Sequence, residues 1–123
     1  MSKSKIMVVE DDESLLELEC MLLTSHGYQV SGMHNGEEAL ECLEREMPDL
    51  VLLDVMMPGV DGFEVCRQIK SNPMTSHIPV ILLTAKKGIE DMVKGEAVKA
   101  DQYLTKPFKS AVVIEKIQCF LNR

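Results

Sequence analysis

The stretch Asp49-Leu50-Val51-Leu52-Leu53-Asp54-Val55-Met56-Met57-Pro58-Gly59 decides how this chain folds. Its apolar residues, Leu50 to Leu53, run without alternation, the pattern of a strand buried on both faces. The run closes on a carboxylate, Asp54, and a Pro-Gly break follows. An aspartate at a strand end is, by itself, a turn former. Other segments repeat the arrangement: Glu10-Asp11-Asp12 follows Ile6-Met7-Val8-Val9, Thr84-Ala85 follows the apolar strand Ile78 to Leu83, and Lys106-Pro107 follows Tyr103-Leu104. In an open parallel sheet the carboxyl ends of the strands share one edge, and ligands bind there. Acids, a hydroxyl and a lysine are therefore expected to converge on that edge.

Taken outward from this centre, strand and helix alternate along the whole chain. Residues 5 to 9 predict the first strand. Asp12 or Ser14 caps a helix carrying Leu15, Leu18, Met21 and Leu22 at helical spacing, and Gly27 suits a left-handed C′ position after it. A more polar strand over residues 28–32 reads as an edge. Asn35 with Glu38 predicts a cap for a second helix with Ala39, Leu40, Leu43 and Met47 on its apolar side, stopped by Pro48. Asp61-Gly62 opens a third helix through Phe63, Val65, Cys66 and Ile69. A fourth is expected over residues 89–98, a short last strand over 102–104, and a last helix from Phe108 that buries Val112 or Val113, Ile117 and Phe120. Connections this short require crossover units, which are right-handed. The prediction is a five-stranded parallel sheet with helices on both faces, residues 1–123 forming one domain.

Composition narrows the function. The 123 residues carry a formal charge of −7, with 13 Lys and Arg scattered along the chain. A nucleic-acid surface on this domain is not expected, because such surfaces are basic. No apolar run reaches the roughly 20 residues that span a bilayer, and the N-terminus enters a strand without a secretory core. Cys20, Cys42, Cys66 and Cys119 have no CxxC spacing and lie within expected helices, and His26, His34 and His77 are not spaced to join them as zinc ligands. Reduced thiols and a cytoplasmic location are the expectation.

No glycine-rich phosphate loop follows the first strand; Glu10-Asp11-Asp12 stands there instead. Those acids also suit a solvated turn before a helix N-terminus. With Asp54 at the same edge they suit a hard cation held through oxygen, and Mg²⁺ is the ion this donor set favours. A carboxylate can itself be the nucleophile in phosphoryl transfer. The spreading phosphoryl charge then needs a cation, a lysine and hydrogen-bond donors.

Four ordered segments carry a family resemblance: Val-Val-Glu10-Asp11-Asp12, Leu-Leu-Asp54-Val-Met-Met-Pro58-Gly59-Val-Asp61-Gly62-Phe63, Leu-Leu-Thr84-Ala85-Lys86 and Tyr103-Leu-Thr-Lys106-Pro107-Phe108. Over residues 4 to 121 the chain resembles a response-regulator receiver domain of the CheY-like kind. The resemblance implies a doubly wound (βα)5 flavodoxin-like α/β fold with strand order 2-1-3-4-5. It implies that Asp54 accepts a phosphoryl group from a phosphohistidine on a histidine kinase or histidine phosphotransfer protein. Glu10, Asp11, Asp54 and the Met56 carbonyl would hold Mg²⁺, and Lys106 would bind a phosphoryl oxygen. Thr84 and Tyr103 would form the switch pair, Pro107 would be cis, and Met56 and Lys86 would tune hydrolysis. The switched surface, formed by the fourth helix, last strand and last helix, would meet a downstream protein target or output domain.

Departures from the family pattern matter too. Lys99-Ala100-Asp101 stands where the family usually has Gly-Ala-Asp, so either the backbone of this turn differs or Lys99 bears a strain cost. Gln102 and Val112 depart from the subclass with winged-helix effectors and argue against its symmetric dimer, leaving a monomer or weak homodimer. The enzyme alternative is a small acid-nucleophile phosphatase, but Met56 occupies the place of its general acid. A flavodoxin-like cofactor carrier would need a Ser/Thr/Gly phosphate loop after the first strand. The end of the chain at its last helix favours a stand-alone regulator, the alternative being a receiver excised from a larger protein.

Overall fold

Because the Leu50–Leu53 run is apolar on both faces, it can only be stable between two other strands and two layers of helix. The computed structural model, which describes residues 3–55, 61–84, 93, 96–105 and 109–121, has this arrangement. Strands β1 (Lys5–Val9), β2 (Gln29–Met33), β3 (Leu50–Asp54), β4 (Val80–Thr84) and β5 (Gln102–Thr105) form one sheet in the order β2-β1-β3-β4-β5. All pairs are parallel, with Val9 opposite Leu53, Asp54 opposite Leu83 and Thr84 opposite Thr105. Every residue of β3 and β4 is buried, whereas β2, at an edge, is partly exposed. The described helices are α1 (Glu13–Ser25), α2 (Gly36–Leu43), α3 (Gly62–Ser71) and α4 (Ser110–Leu121). The expected fourth helix falls largely outside the described residues, as does Phe108.

Strand alternation sends side chains to two cores. Met7, Val9, Val51, Leu53, Val80 and Leu82 pack with Ala39, Cys42 and Leu43 of α2 and Val65, Cys66 and Ile69 of α3. Ile6, Val8, Leu50, Leu52, Ile81 and Leu83 pack with Leu16 and Leu23 of α1 and Val113, Ile114 and Ile117 of α4. Each buried aliphatic side chain contributes roughly 1.5–3 kcal/mol.

Helix starts follow the expected caps. Asp12 accepts from the Leu15 N–H at 3.1 Å, Asn35 from Glu38 at 2.8 Å and Asp61 from Glu64 at 2.9 Å. Glu38 returns a bond to the backbone N–H of His34, at 2.9 Å, one residue before the cap. Gly27 closes α1 at φ +92°. In the first turn of α3, hydrogen bonds from Arg67 and then Gln68 hold the Glu64 carboxyl down at about 2.

Several helix expectations are corrected. On α1 the buried residues are Leu16 and Leu23, while Leu15, Leu18 and Met21 are 40%, 62% and 68% exposed. Of the expected stripe Leu22 packs, partly buried, against the core, while Leu15, Leu18 and Met21 line an open apolar groove between α1 and α4. Helix α2 ends at Leu43 rather than running to Pro48, and Met47 is exposed. The chain makes one further turn, with Glu46 donating to the Cys42 carbonyl at 2.8 Å, before Pro48 forbids helical backbone at Met47. In α4 Ile114 is buried and Phe120 only half-buried. Ile78 is buried ahead of β4, which begins after Pro79.

The turn into β5 is anchored from two sides. The Asp101 carboxylate accepts from the Val80 N–H at 2.8 Å and pairs with Lys70 at 2.6 Å. Lys70, its side chain 9% exposed, also donates to the carbonyls of Ile78 at 2.6 Å and Ser76 at 3.2 Å. The Cys66 thiol reaches the Val98 carbonyl at 3.6 Å, and burial pushes it up to about 12. Between these anchors Lys99 sits at φ +63°, so of the two expected alternatives the turn keeps its left-handed backbone and the lysine bears the strain.

Two outcomes follow from this packing. A left-handed L-residue costs roughly 1–2 kcal/mol, against about 0.4–1 kcal/mol of extra chain entropy when glycine replaces it. Lys99→Gly is therefore expected to raise stability by about 0.5–1 kcal/mol in urea melts; an unchanged or lower midpoint would mean the lysine side chain offsets its own strain. Towards a thiol reagent at pH 8, exposed Cys119 should react first in the native protein and Cys66 only on unfolding. Fast modification of Cys66 would contradict its burial.

Candidate functional site

The register brings the acids together. Glu10 follows β1 directly, and its N–H is held by the Met33 carbonyl of β2 at 3.0 Å. Since Val9 lies opposite Leu53, the next residues on the two strands are Glu10 and Asp54. Carboxylate oxygens of Glu10, Asp11 and Asp54 lie within 4.8 Å of one another. Glu10 is 1% exposed and Asp54 2%, while Asp11 faces solvent. The Glu10 carboxylate also accepts from the Asp12 N–H at 3.2 Å, which ties it to the start of α1.

Buried carboxylates at the ends of apolar strands are costly unless a cation or donors meet them. Oxygen ligands from three carboxylates, two buried and one open to water, fit a hard divalent ion that retains some of its waters. Nitrogen and sulfur ligands are not part of this cluster, which is unlike a zinc site. The acidic pocket is thus compatible with Mg²⁺.

Thr84 ends β4 one step beyond Leu83, the partner of Asp54, and is fully buried. Tyr103 pairs with Leu82 on β5 and packs, half-buried, against the α2–α3 core, with its hydroxyl oxygen buried. Alternation puts Thr84 and Tyr103 on the same side of the sheet, with Tyr103 two residues back from the edge. Met56, Lys86, Lys106 and Pro107 lie outside the described residues.

One contact at this edge escaped sequence reasoning. Gly62 is buried at the first position of α3, where its N–H reaches the Val55 carbonyl at 3.4 Å. A Cβ there would lie 2.6 Å from the Val55 Cα and closer still to the Asp54 carbonyl oxygen. The available signal was a glycine in a helix that its neighbours otherwise cap and pattern well.

A parallel 2-1-3-4-5 sheet with this acid cluster at its carboxyl edge defines a doubly wound, flavodoxin-like α/β domain with an acidic site at its strand ends. The chain belongs to the response regulator receiver domain family, whose profile matches residues 6–118. It is 43% identical over 115 residues to the response regulator PleD of Caulobacter vibrioides, covering 94% of this chain and 25% of PleD. It is also 43% identical over 119 residues to the alkaline phosphatase synthesis transcriptional regulatory protein PhoP of Bacillus subtilis, covering 97% of this chain and 49% of PhoP. The chain thus spans a quarter to about half the length of these relatives. Among solved structures, chemotaxis protein CheY4 of Vibrio cholerae superposes with TM-score 0.92 at 28% identity, covering 98% of this chain and 100% of that one. The receiver domain of sensor histidine kinase PA1611 from Pseudomonas aeruginosa, which has a magnesium ion coordinated in its active-site cleft, gives 0.90 at 29% identity over 99% of this chain and 100% of that one. The family is one of signalling modules rather than metabolic enzymes, and the phosphatase alternative is not favoured. Among the described residues no helix is long and apolar enough to cross a membrane.

The acid cluster makes a stability test possible. Two unit charges about 5 Å apart at an effective dielectric near 20 repel by roughly 3 kcal/mol, and solvent around Asp11 reduces that. Asp54→Asn is expected to stabilise the metal-free protein by about 1 kcal/mol. Mg²⁺ at a hundredfold over its Kd should stabilise the parent by about 2.7 kcal/mol through linkage, and the variant less at the same concentration. Urea melts of both proteins in EDTA and in Mg²⁺ decide the matter. A less stable variant with the parent's Mg²⁺ increment would make Asp54 a structural cap.

Proposed function

We propose that residues 1–123 form one receiver domain in which Asp54 accepts a phosphoryl group from the phosphohistidine of a partner kinase or histidine phosphotransfer protein. The observation that carries this reading is the meeting of the Glu10, Asp11 and Asp54 carboxylates at the carboxyl edge of the sheet. A magnesium ion in the related PA1611 receiver domain supports the choice of cation. Glu10, Asp11, Asp54 and the Met56 carbonyl would hold Mg²⁺, which when bound supplies compact positive charge against the phosphoryl oxygens.

In the transfer, an Asp54 carboxylate oxygen forms the new O–P bond. The P–N bond of the donor breaks, its electron pair returns to the imidazole nitrogen, and solvent meets the ring's proton balance. Burial of Asp54 keeps bulk water from competing at the phosphorus. Lys106 pairs with a phosphoryl oxygen and the Thr84 hydroxyl donates to another. Tyr103 follows Thr84, and the surface formed by the segment expected as the fourth helix, β5 and the last helix is then read by a downstream target or output domain. Met56 and Lys86 set how fast water removes the group. The domain acts on no metabolite, binds neither nucleic acid nor membrane, works in the cytoplasm and is a monomer or weak homodimer.

Incubation with a small acyl-phosphate donor and Mg²⁺ should add a single hydroxylamine-labile phosphoryl group at Asp54. Asp54→Asn should take up none, and Lys106→Ala should bind Mg²⁺ yet respond poorly to phosphorylation. Mass spectrometry of peptides decides it: label on a serine or threonine, or label persisting in Asp54→Asn, would falsify the assignment.

A further inference from the structure

We propose that Gly62 is a positioning residue for phosphoryl transfer: the bare Cα at the head of α3 seats on the Asp54–Val55 peptide and fixes the aim of the Asp54 carboxylate. This inference rests on the reading of Asp54 as nucleophile. Glycine is a poor helix residue, and α3 already has a good start in the Asp61 cap on Glu64. Nor is Gly62 needed for left-handed backbone, the property that distinguishes Gly27.

Space is what Gly62 provides. An added Cβ would lie 2.6 Å from the Val55 Cα and 2.9 Å from the Asp54 carbonyl carbon. Those are backbone atoms, and no rotamer change can move them aside. At Gly32, by contrast, a Cβ would meet only side-chain atoms of Cys20 and Leu16, at 3.3 Å. The carbonyl that Gly62 touches belongs to the nucleophile's own residue, and tilting that peptide turns the Asp54 Cα–Cβ bond. The Val55 N–H is bonded to the Leu83 carbonyl at 3.0 Å and the Val55 carbonyl receives the Gly62 N–H at 3.4 Å. The strand end is thus gripped from β4 on one side and α3 on the other. Attack on phosphorus needs the reacting atoms about 3–3.5 Å apart and in line, and a displacement of about 1 Å can cost about a hundredfold in rate.

The test compares the parent chain with Gly62→Ala, Asp61→Ala and Val65→Ala, the last a core truncation one turn further along the same helix. Each is measured for its urea midpoint, for Mg²⁺ affinity by calorimetry, and for labelling rate against concentration of an acyl-phosphate donor. Gly62→Ala is expected to lower the maximal labelling rate about tenfold or more, with donor half-saturation within about twofold. Val65→Ala should lose stability yet keep its maximal rate within about twofold. A Gly62→Ala rate close to the parent's, or an equal loss in Val65→Ala, overturns the proposal. Should Gly62→Ala not fold, Asp61→Ala carries the test, because it loosens the first turn of α3 without adding an atom; a severalfold slower maximal rate supports the proposal and an unchanged one overturns it. A parent chain that takes no label at Asp54 would instead sink the phosphoacceptor reading on which the proposal rests.

Discussion

Two carboxylates buried at the ends of apolar strands set the terms for the rest of this molecule. Glu10 and Asp54 are each almost wholly removed from solvent, and neither position is tolerable without backbone donors, rigid neighbours or a cation. Parallel pairing supplies the rigidity. Because β1, β3 and β4 run in one direction and in fixed register, their carboxyl ends arrive together without any loop having to aim them. The acids can therefore be held close enough to repel one another, with the apolar cores on both faces providing the stability that this repulsion opposes.

The two sides of the sheet are used differently. By strand alternation Glu10 and Asp54 continue the rows of Ile6 and Val8 and of Leu50 and Leu52, which pack under α1 and α4. Thr84 and Tyr103 continue the rows that pack under α2 and α3. The acid cluster and the tyrosine therefore lie on opposite faces, and the end of β4 stands between them at the edge of the sheet. Thr84, completely buried and one register step from the partner of Asp54, closes β4 at that edge.

How legible this was depended on whether a signal was local. Strands β3 and β4 were plain because a run apolar on both faces has one solution, and caps at Asn35 and Asp61 were plain because capping is settled within four residues, while at the first helix Asp12 and Ser14 competed until the structure gave the cap to Asp12. The acid cluster followed from strand ends sharing an edge. Helix α1 misled because it is apolar on more than one face: Leu15, Leu18 and Met21 make as good a stripe as Leu16 and Leu23. Periodicity cannot choose between two stripes; the direction in which the strand hands over the chain does. Gly62 and the Lys70–Asp101 pair were unreadable for a different reason. Their partners lie on other elements: a glycine inside a well-patterned helix marks Gly62 as unusual but does not say which backbone it seats on, and nothing near Lys70 in the chain points to Asp101. Lys99 was legible only because a glycine was expected in its place.

Lys70 illustrates what such a tertiary arrangement does to an ordinary side chain. Its ammonium has three hydrogens and faces three acceptors, the carbonyls of Ser76 and Ile78 and the carboxylate of Asp101. One side chain thus stitches the last turn of α3 to the segment ahead of β4 and to the turn into β5, so that cutting it back short of its ammonium would release three contacts on two separate stretches of chain rather than one.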